Sequence, residues 1–383
     1  MTMQPLTQLM SQVESNVVPI LEGEARRVDL EGLWPAASVK TLKESGLLGL
    51  TIPAEFGGSG AGMREFAAIT ERLARACAST AMIYLMHVCG TQAIAMSGSL
   101  KREGALKKIA AAEALATLAF SERGSRSHFW APVSRAQRNA SVVVLNCEKS
   151  FVTSAGYADY YVTSVGAVDG KTPADSTLYL VESGTNGLQV SGAWNGIGLR
   201  GNSSAPMILR DCHVGQDFRL SLEGQGFKMM MEVVLPWFQI GSAAVSLGIG
   251  EAAFASAVQH TSSARLEHLG ESLASAIPGI RARLARMRLA LDAARGFLDQ
   301  TLARIESGSE TALVGVLGAK AVASEAALEV TDEAMRACGG AAFARQLTVE
   351  RHFRDARAAS VMAPTTDVLY DFIGKAVAGL PLF

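Results

Sequence analysis

The spacing of apolar residues changes period twice along the chain. Between residues 35 and 114 apolar positions recur every three to four residues, which predicts helices over 35–46, 63–76, 80–97 and 100–114. Prolines and glycines crowd the stretch from Leu47 to Gly60 and predict a loop there. From about Thr117 to Leu220 β-branched residues alternate with polar ones, in runs at 141–145, 160–165, 177–181 and 207–209. Turn residues separate these runs at short intervals, so this part reads as a compact antiparallel β domain or barrel. The helical period returns after Gly224, with long runs at 226–262, 275–305 and 312–337 and a shorter one at 367–378. Long amphipathic helices with few turns predict a bundle. The expected fold is therefore α+β multidomain: an N-terminal α-helical domain (1–116), a middle antiparallel β domain (117–222) and a C-terminal helical bundle (223–383).

One run is long enough to raise a membrane question. Residues 233–250 hold no charge over 18 positions, close to the length of a spanning helix. Pro236, Gln239, Ser242 and Ser246 interrupt it and Glu232 and Glu251 bound it, so we read it as a helix buried on all sides rather than a membrane span. Composition narrows the class further. With 49% hydrophobic and 19% charged residues among 383, the chain can bury a large core. A net charge of −1 with interspersed signs gives no basic patch for nucleic acid. The five cysteines, Cys77, Cys89, Cys147, Cys212 and Cys338, lack CxxC spacing. They are expected as buried thiols rather than disulfides or a metal site. No basic, then apolar, leader pattern opens the chain, and the expected location is cytoplasmic.

The chemistry is concentrated in a few stretches. Near the end, an Ala-rich helical run stops at Arg336-Ala337-Cys338-Gly339-Gly340-Ala341-Ala342-Phe343. Glycine at such a stop can take the left-handed conformation that closes a helix. Val349-Glu350-Arg351-His352-Phe353-Arg354-Asp355-Ala356-Arg357 follows, then Met362-Ala363-Pro364-Thr365-Thr366-Asp367. In order and spacing this resembles the C-terminal signature of the acyl-CoA dehydrogenase family, flavoenzymes that desaturate acyl thioesters. The loop counted from Gly46 to Gly60 is similar to a second family pattern, and its glycines are read as shaping the backbone. In the β segment, Phe120-Ser121-Glu122-Arg123-Gly124-Ser125-Arg126-Ser127-His128 resembles the family's flavin loop. Lys149-Ser150-Phe151-Val152-Thr153-Ser154-Ala155-Gly156-Tyr157-Ala158-Asp159 resembles the segment that packs on the isoalloxazine, and Gly196 to Ser204 resembles a third motif.

The resemblance implies non-covalent FAD between the β domain and the C-terminal helices. By position, Phe120 and Ser121 would meet the flavin ring, Ser127 the diphosphate, and Phe151 and Thr153 the isoalloxazine. Gly339 and Gly340, with Arg336 where the family usually has glutamine, would line the cofactor, as would Thr365 and Asp367. Arg265 loosely matches the arginine that a neighbouring subunit usually contributes. A homodimer or homotetramer is implied, with an acyl thioester on CoA or a carrier protein as substrate. Reduced flavin would pass its electrons to an electron-transferring flavoprotein or to oxygen.

The departures matter as much. Arg123, Arg126 and His128 stand where the family usually has proline, glycine and aspartate. Ala363 occupies the position of the usual catalytic glutamate, and the alternative position in the 235–239 segment also lacks an acid. Desaturation needs a base to take the α-proton while hydride leaves for the flavin. Three readings stay open: a dehydrogenase whose base has moved, with Glu232, Asp367 and Asp371 as candidates; a monooxygenase or oxidase of the same fold; and a non-catalytic flavoprotein subunit. His87 is read as a packed or substrate-side histidine.

Overall fold

The computed structural model describes residues 5–126, 128–139 and 142–382. Six helices come first: α1 (Leu6–Gln12), α2 (Val18–Glu31), α3 (Ala36–Glu44), α4 (Met63–Ala76), α5 (Ala78–Ala95) and α6 (Arg102–Ala110). Seven strands follow: β1 (Ala116–Ala119), β2 (Gln137–Asn139), β3 (Val142–Val152), β4 (Tyr160–Gly166), β5 (Ser176–Glu182), β6 (Leu188–Val190) and β7 (Ala205–Gly215). The remainder is helical apart from a short hairpin. It comprises α7 (Gly226–Met229), α8 (Leu235–Ser263), β8 (Arg265–Leu266), β9 (Glu271–Ser272), α9 (Leu273–Ala276), α10 (Pro278–Glu306), α11 (Ala312–Cys338), α12 (Gly340–Phe343), α13 (Val349–Val361) and α14 (Thr366–Val377). The helix–strand–helix order expected from the apolar spacing is present, and α4 covers the span read for it.

Three details differ from the sequence reading. The β segment forms two sheets, β1-β4-β5 and β2-β3-β7-β6, rather than one barrel. It is not wholly antiparallel, because β1 runs parallel to β4. A crossover of this kind separates paired residues by more than forty positions, which local alternation cannot reveal. The third difference concerns continuity. The run at 226–262 breaks into α7, a π-helical turn at Met230–Val234, and α8. A second π turn, Val13–Val17, precedes α2. Each ends two residues before a proline, Pro236 or Pro19, whose missing N–H cannot close the regular i→i−4 bond.

The chain folds as two compact units. The first comprises residues up to 69, 79–196 and 200–238, and the second 70–78, 197–199 and 239–383. The β core of the first unit is apolar and almost fully buried, drawing Leu145, Val165, Tyr179 and Cys212 from the two sheets. In the second unit α11 is buried on most sides and packs against α10, α13 and α14. Arg295 of α10 holds Glu71 in a two-pronged bond (2.7 Å on both arms) and reaches Glu251 of α8 at 2.9 Å. A planar guanidinium suits this shared recognition better than an ammonium would. The long apolar helix running Gly226–Ser263 is the one described helix apolar and long enough to cross a membrane, and 83% of its most apolar window is buried inside the protein.

Candidate functional site

Phe151 is turned outward by an irregularity in its strand. Strand β3 pairs with β7 through Lys149↔Met207 and Val152↔Ala205, so β3 carries one residue more than its partner in this interval. A bulge of that kind bends the strand and re-aims a side chain. Phe151 sits in it at φ 56°, in the left-handed region, and its ring is 68% exposed. The ring meets Trp194 edge-on, with centroids 6.4 Å apart. Ser154, at φ 62°, is also left-handed, and its buried hydroxyl has no hydrogen-bond partner among the described residues. Strained backbone at two such nearby residues is the kind of feature that clusters at ligand sites.

The second and third β-segment motifs meet here. Ser154 N–H donates to the Asn202 carbonyl at 2.9 Å, and Ala155 N–H to that of Ser203 at 3.1 Å. The Thr153 and Ser204 hydroxyls lie 3.0 Å apart, both buried. Two hydroxyls hold two protons, and their mutual bond uses one, so one O–H remains for a further acceptor. Sequence reasoning named Thr153 but passed over Ser204, although Ser204 closed the third motif. The first motif joins the same region: Ser150 N–H donates to the Ser121 carbonyl at 2.9 Å. Ser121 is half-buried, between the buried Phe120 and Glu122. The Phe120 ring lies 6.3 Å from that of Phe129 and nearly parallel to it. Ser127 lies outside the described residues. An exposed flat ring beside buried hydroxyls with spare bonding capacity fits a planar heterocycle with polar edges, as a flavin has.

The second unit carries the C-terminal signature. Gly339, which follows α11, has φ 57° and ψ −135°, a conformation open to glycine and little else. Neither Gly339 nor Gly340 has an atom within 4 Å of where a Cβ would stand, so another molecule's backbone or phosphate can approach closely. Arg336 is exposed and bonds Asp332 at 2.8 Å on its own helix. Its guanidinium is shared with that carboxylate at the surface. Thr365 caps α14, its side chain accepting from Val368 N–H. Asp367 is exposed in the first turn of that helix. Arg265 folds back onto the Gly270 carbonyl of its own hairpin. Within the signature, Asp355 accepts from Leu199 N–H at 2.7 Å, and Arg354 donates to the Ile197 carbonyl at 2.9 Å. Gly198 between them is required, because a Cβ there would stand 2.5 Å from the Arg354 carbonyl oxygen.

Ala363 is half-buried, and the main chain around it is held from beneath. Lys320 of α11, fully buried, donates to the carbonyls of Met362 (2.7 Å) and Pro364 (2.5 Å). Burial pushes its ammonium down to about 7. Sequence reasoning missed Lys320; its signal was a lone cation inside the apolar run from Leu313 to Val322. The candidate replacement bases are all at the surface. Glu232 is exposed and 4.0 Å from Lys228, Asp371 is exposed and 2.8 Å from Lys375, and Asp367 faces solvent. His87 is fully buried, with Nε2 3.0 Å from the Leu48 carbonyl and Nδ1 accepting from Ala116 N–H at 3.0 Å. This fixes the Nε2–H tautomer, and burial pushes the imidazole down to about 4. With both nitrogens engaged by backbone, His87 is a packed histidine and not a substrate-side one. All five cysteines are buried, and none is joined in a disulfide. No group of three or more potential metal ligands occurs among the described residues.

Comparison with known proteins bears on this arrangement directly. Models of the acyl-CoA dehydrogenase N-terminal, middle and C-terminal domains match residues 8–113, 117–212 and 224–378. Human mitochondrial short-chain specific acyl-CoA dehydrogenase is 30% identical over 93% of this chain and 84% of its own length. Cyclohex-1-ene-1-carbonyl-CoA dehydrogenase of Geobacter metallireducens is 29% identical, covering 92% of each. Butyryl-CoA dehydrogenase of Megasphaera elsdenii superposes with a TM-score of 0.89 at 26% identity, covering 97% of each chain. On three matched domains in order, and a relative 30% identical over 84% of its own length, the chain belongs to the acyl-CoA dehydrogenase family of flavoprotein oxidoreductases.

Proposed function

We propose that this chain is an FAD-dependent oxidoreductase acting on an acyl thioester, presented by CoA or a carrier protein, by α,β-desaturation with a base other than residue 363. The carrying observation is the buried Thr153–Ser204 hydroxyl pair beside the outward-turned Phe151 ring. FAD, when bound, would supply the hydride acceptor. Phe151 would cover part of the ring system, and Thr153 with Ser204 would supply one O–H to a flavin acceptor. Ser121 would border the ring from the adjoining loop.

Ala363 can neither take nor hold a proton. The three acids considered as substitutes are solvent-exposed, and two of them are paired with lysines one helical turn away. A carboxylate in that setting is solvated by water rather than desolvated against a substrate α-carbon. None of the three is therefore set up as the usual buried base, and ordinary straight-chain acyl-CoAs are expected to react slowly. His87 does not support a monooxygenase reading, since its nitrogens are both occupied. The electron acceptor is an electron-transferring flavoprotein or oxygen, and the working unit a homodimer or homotetramer in the cytoplasm.

The test is an anaerobic titration of purified protein with a panel of acyl-CoAs, followed by flavin absorption. Yellow protein that bleaches with at least one acyl-CoA is the expected result. Protein that stays colourless after reconstitution with FAD would overturn the reading.

A further inference from the structure

One buried ion pair in the β domain is used by nothing described so far. Lys149 and Glu122 are both almost completely inaccessible, and the Lys149 ammonium lies 2.6 Å from Glu122 Oε1. The same ammonium also donates to the carbonyls of Ser164 (2.5 Å) and Phe120 (3.4 Å). On its other oxygen Glu122 accepts from Val133 N–H (2.8 Å), Ser134 N–H (2.7 Å) and the Ser134 hydroxyl (3.0 Å). Residues 122 and 149 further face each other in an isolated antiparallel bridge.

Lys149 therefore grips the chain on both sides of Ser121, through the carbonyl of residue 120 and the side chain of residue 122. The Ser121 carbonyl itself is held by Ser150 N–H. Burying two charges costs several kcal/mol per ion before their attraction is counted, and a well-packed apolar pair is often as stable or more so. A buried pair that also binds four backbone groups, the carbonyls of Phe120 and Ser164 and the N–H groups of Val133 and Ser134, is better explained by the geometry it fixes. Two residues beyond Lys149 stands Phe151, so one cation ties the Ser121 loop to the strand that presents the exposed ring.

We propose that Lys149 and Glu122 are a positioning pair that sets Ser121 in register with Phe151 and Thr153 before cofactor binds. This inference rests on the reading that Ser121, Phe151 and Thr153 line a flavin site. The pair itself touches neither cofactor nor substrate.

The test compares wild type with the double variant Glu122→Leu/Lys149→Met, which removes both charges and leaves no unpaired one. Expected are an FAD dissociation constant raised on the order of tenfold and a changed visible circular dichroism of the bound flavin, with a melting temperature lowered by the backbone groups that lose their partners. A purely structural pair would leave the flavin spectrum and affinity untouched, and that result overturns the proposal alone. Hydrogen exchange on wild type without FAD gives an arm independent of any variant. The amides of residues 120–123 are expected to be as protected as those of β1; exchange at loop rates until FAD is added overturns the proposal. Wild type that takes up no FAD overturns the functional reading and the proposal together.

Discussion

Thr153 illustrates how a single hydroxyl gains meaning from its neighbour. Its bond to Ser204 leaves one proton unspent, in a buried place where an unmet group is costly. Thr153→Ala is expected to weaken FAD retention by about 1–3 kcal/mol, read in a fluorescence titration as a fall in affinity of roughly 5- to 150-fold. Ser204→Ala should act in the same direction, and the double variant should fall short of additivity because the two share one bond. Ala363 poses the opposite case, a side chain too short for the chemistry. Ala363→Glu/Pro364→Gly introduces a carboxylate and frees residue 363 from the backbone restriction that a following proline imposes. Lys320 still has its two carbonyls to hold, since both backbone oxygens survive the change. Faster anaerobic flavin bleaching by acyl-CoA is expected, within the roughly 100- to 10,000-fold that a general base contributes. Rapid bleaching by the wild type would show instead that a base is already in place.

Helix α11 carries its one deeply buried cation to the segment between α13 and α14, and this makes the second unit sensitive to pH. Burial lowers the Lys320 ammonium to about 7, against about 10.4 in an unfolded chain. Between those values the folded state binds fewer protons than the unfolded state, so this group's contribution to stability rises with pH across that window. Two histidines act on the acid side. Burial lowers His87 to about 4; burial, with the Arg351 and Arg354 charges, lowers His352 to about 3. Both are neutral when folded, so stability is lost as pH falls from about 6.5 through these values. Melting temperatures measured from pH 4 to 8 should therefore climb from the acid end and continue to rise above 7, in a range that stops short of the pH at which the buried thiols of Cys89, Cys147, Cys212 and Cys338, pushed up by burial, oppose the trend. Lys320→Met should flatten the alkaline limb while leaving the acid limb in place. An unchanged alkaline limb in that variant would assign the rise to other groups.

The C-terminal unit leaves large apolar side chains in solvent: Leu289, Phe343, Val361 and Val377 are each between 69% and 84% exposed. Such side chains fit the homo-oligomer proposed above, in which a second copy would cover them. Light scattering at micromolar concentration is expected to give a dimer or tetramer mass, and Val377→Asp or Phe343→Asp to shift it toward monomer. A monomeric mass for wild type with FAD bound would refute the assembly.

The positions of the helices, the change to strands and back, and the family motifs were legible in the sequence because they are local: apolar period, turn residues and fixed short spacings. The substitution at residue 363 was legible for the same reason, as one letter out of place in a contiguous signature. The parallel pairing of β1 with β4 was not, since its partners are 44 positions apart (Ala116 and Tyr160) and strand alternation carries no direction. Nor was the bulge that exposes Phe151, because the extra residue exists only relative to β7. Ser204, Lys320 and the Glu122–Lys149 pair acquire their roles from partners 51, 42 to 44 and 27 positions away. Arg336 and Arg265 read as cofactor groups in one dimension, and only the fold shows the local partners each also has, Asp332 on its own helix and the Gly270 carbonyl of its own hairpin. Spacing along a chain tells which elements form; which buried polar groups meet, and which are left with a bond to give, depends on how those elements pack.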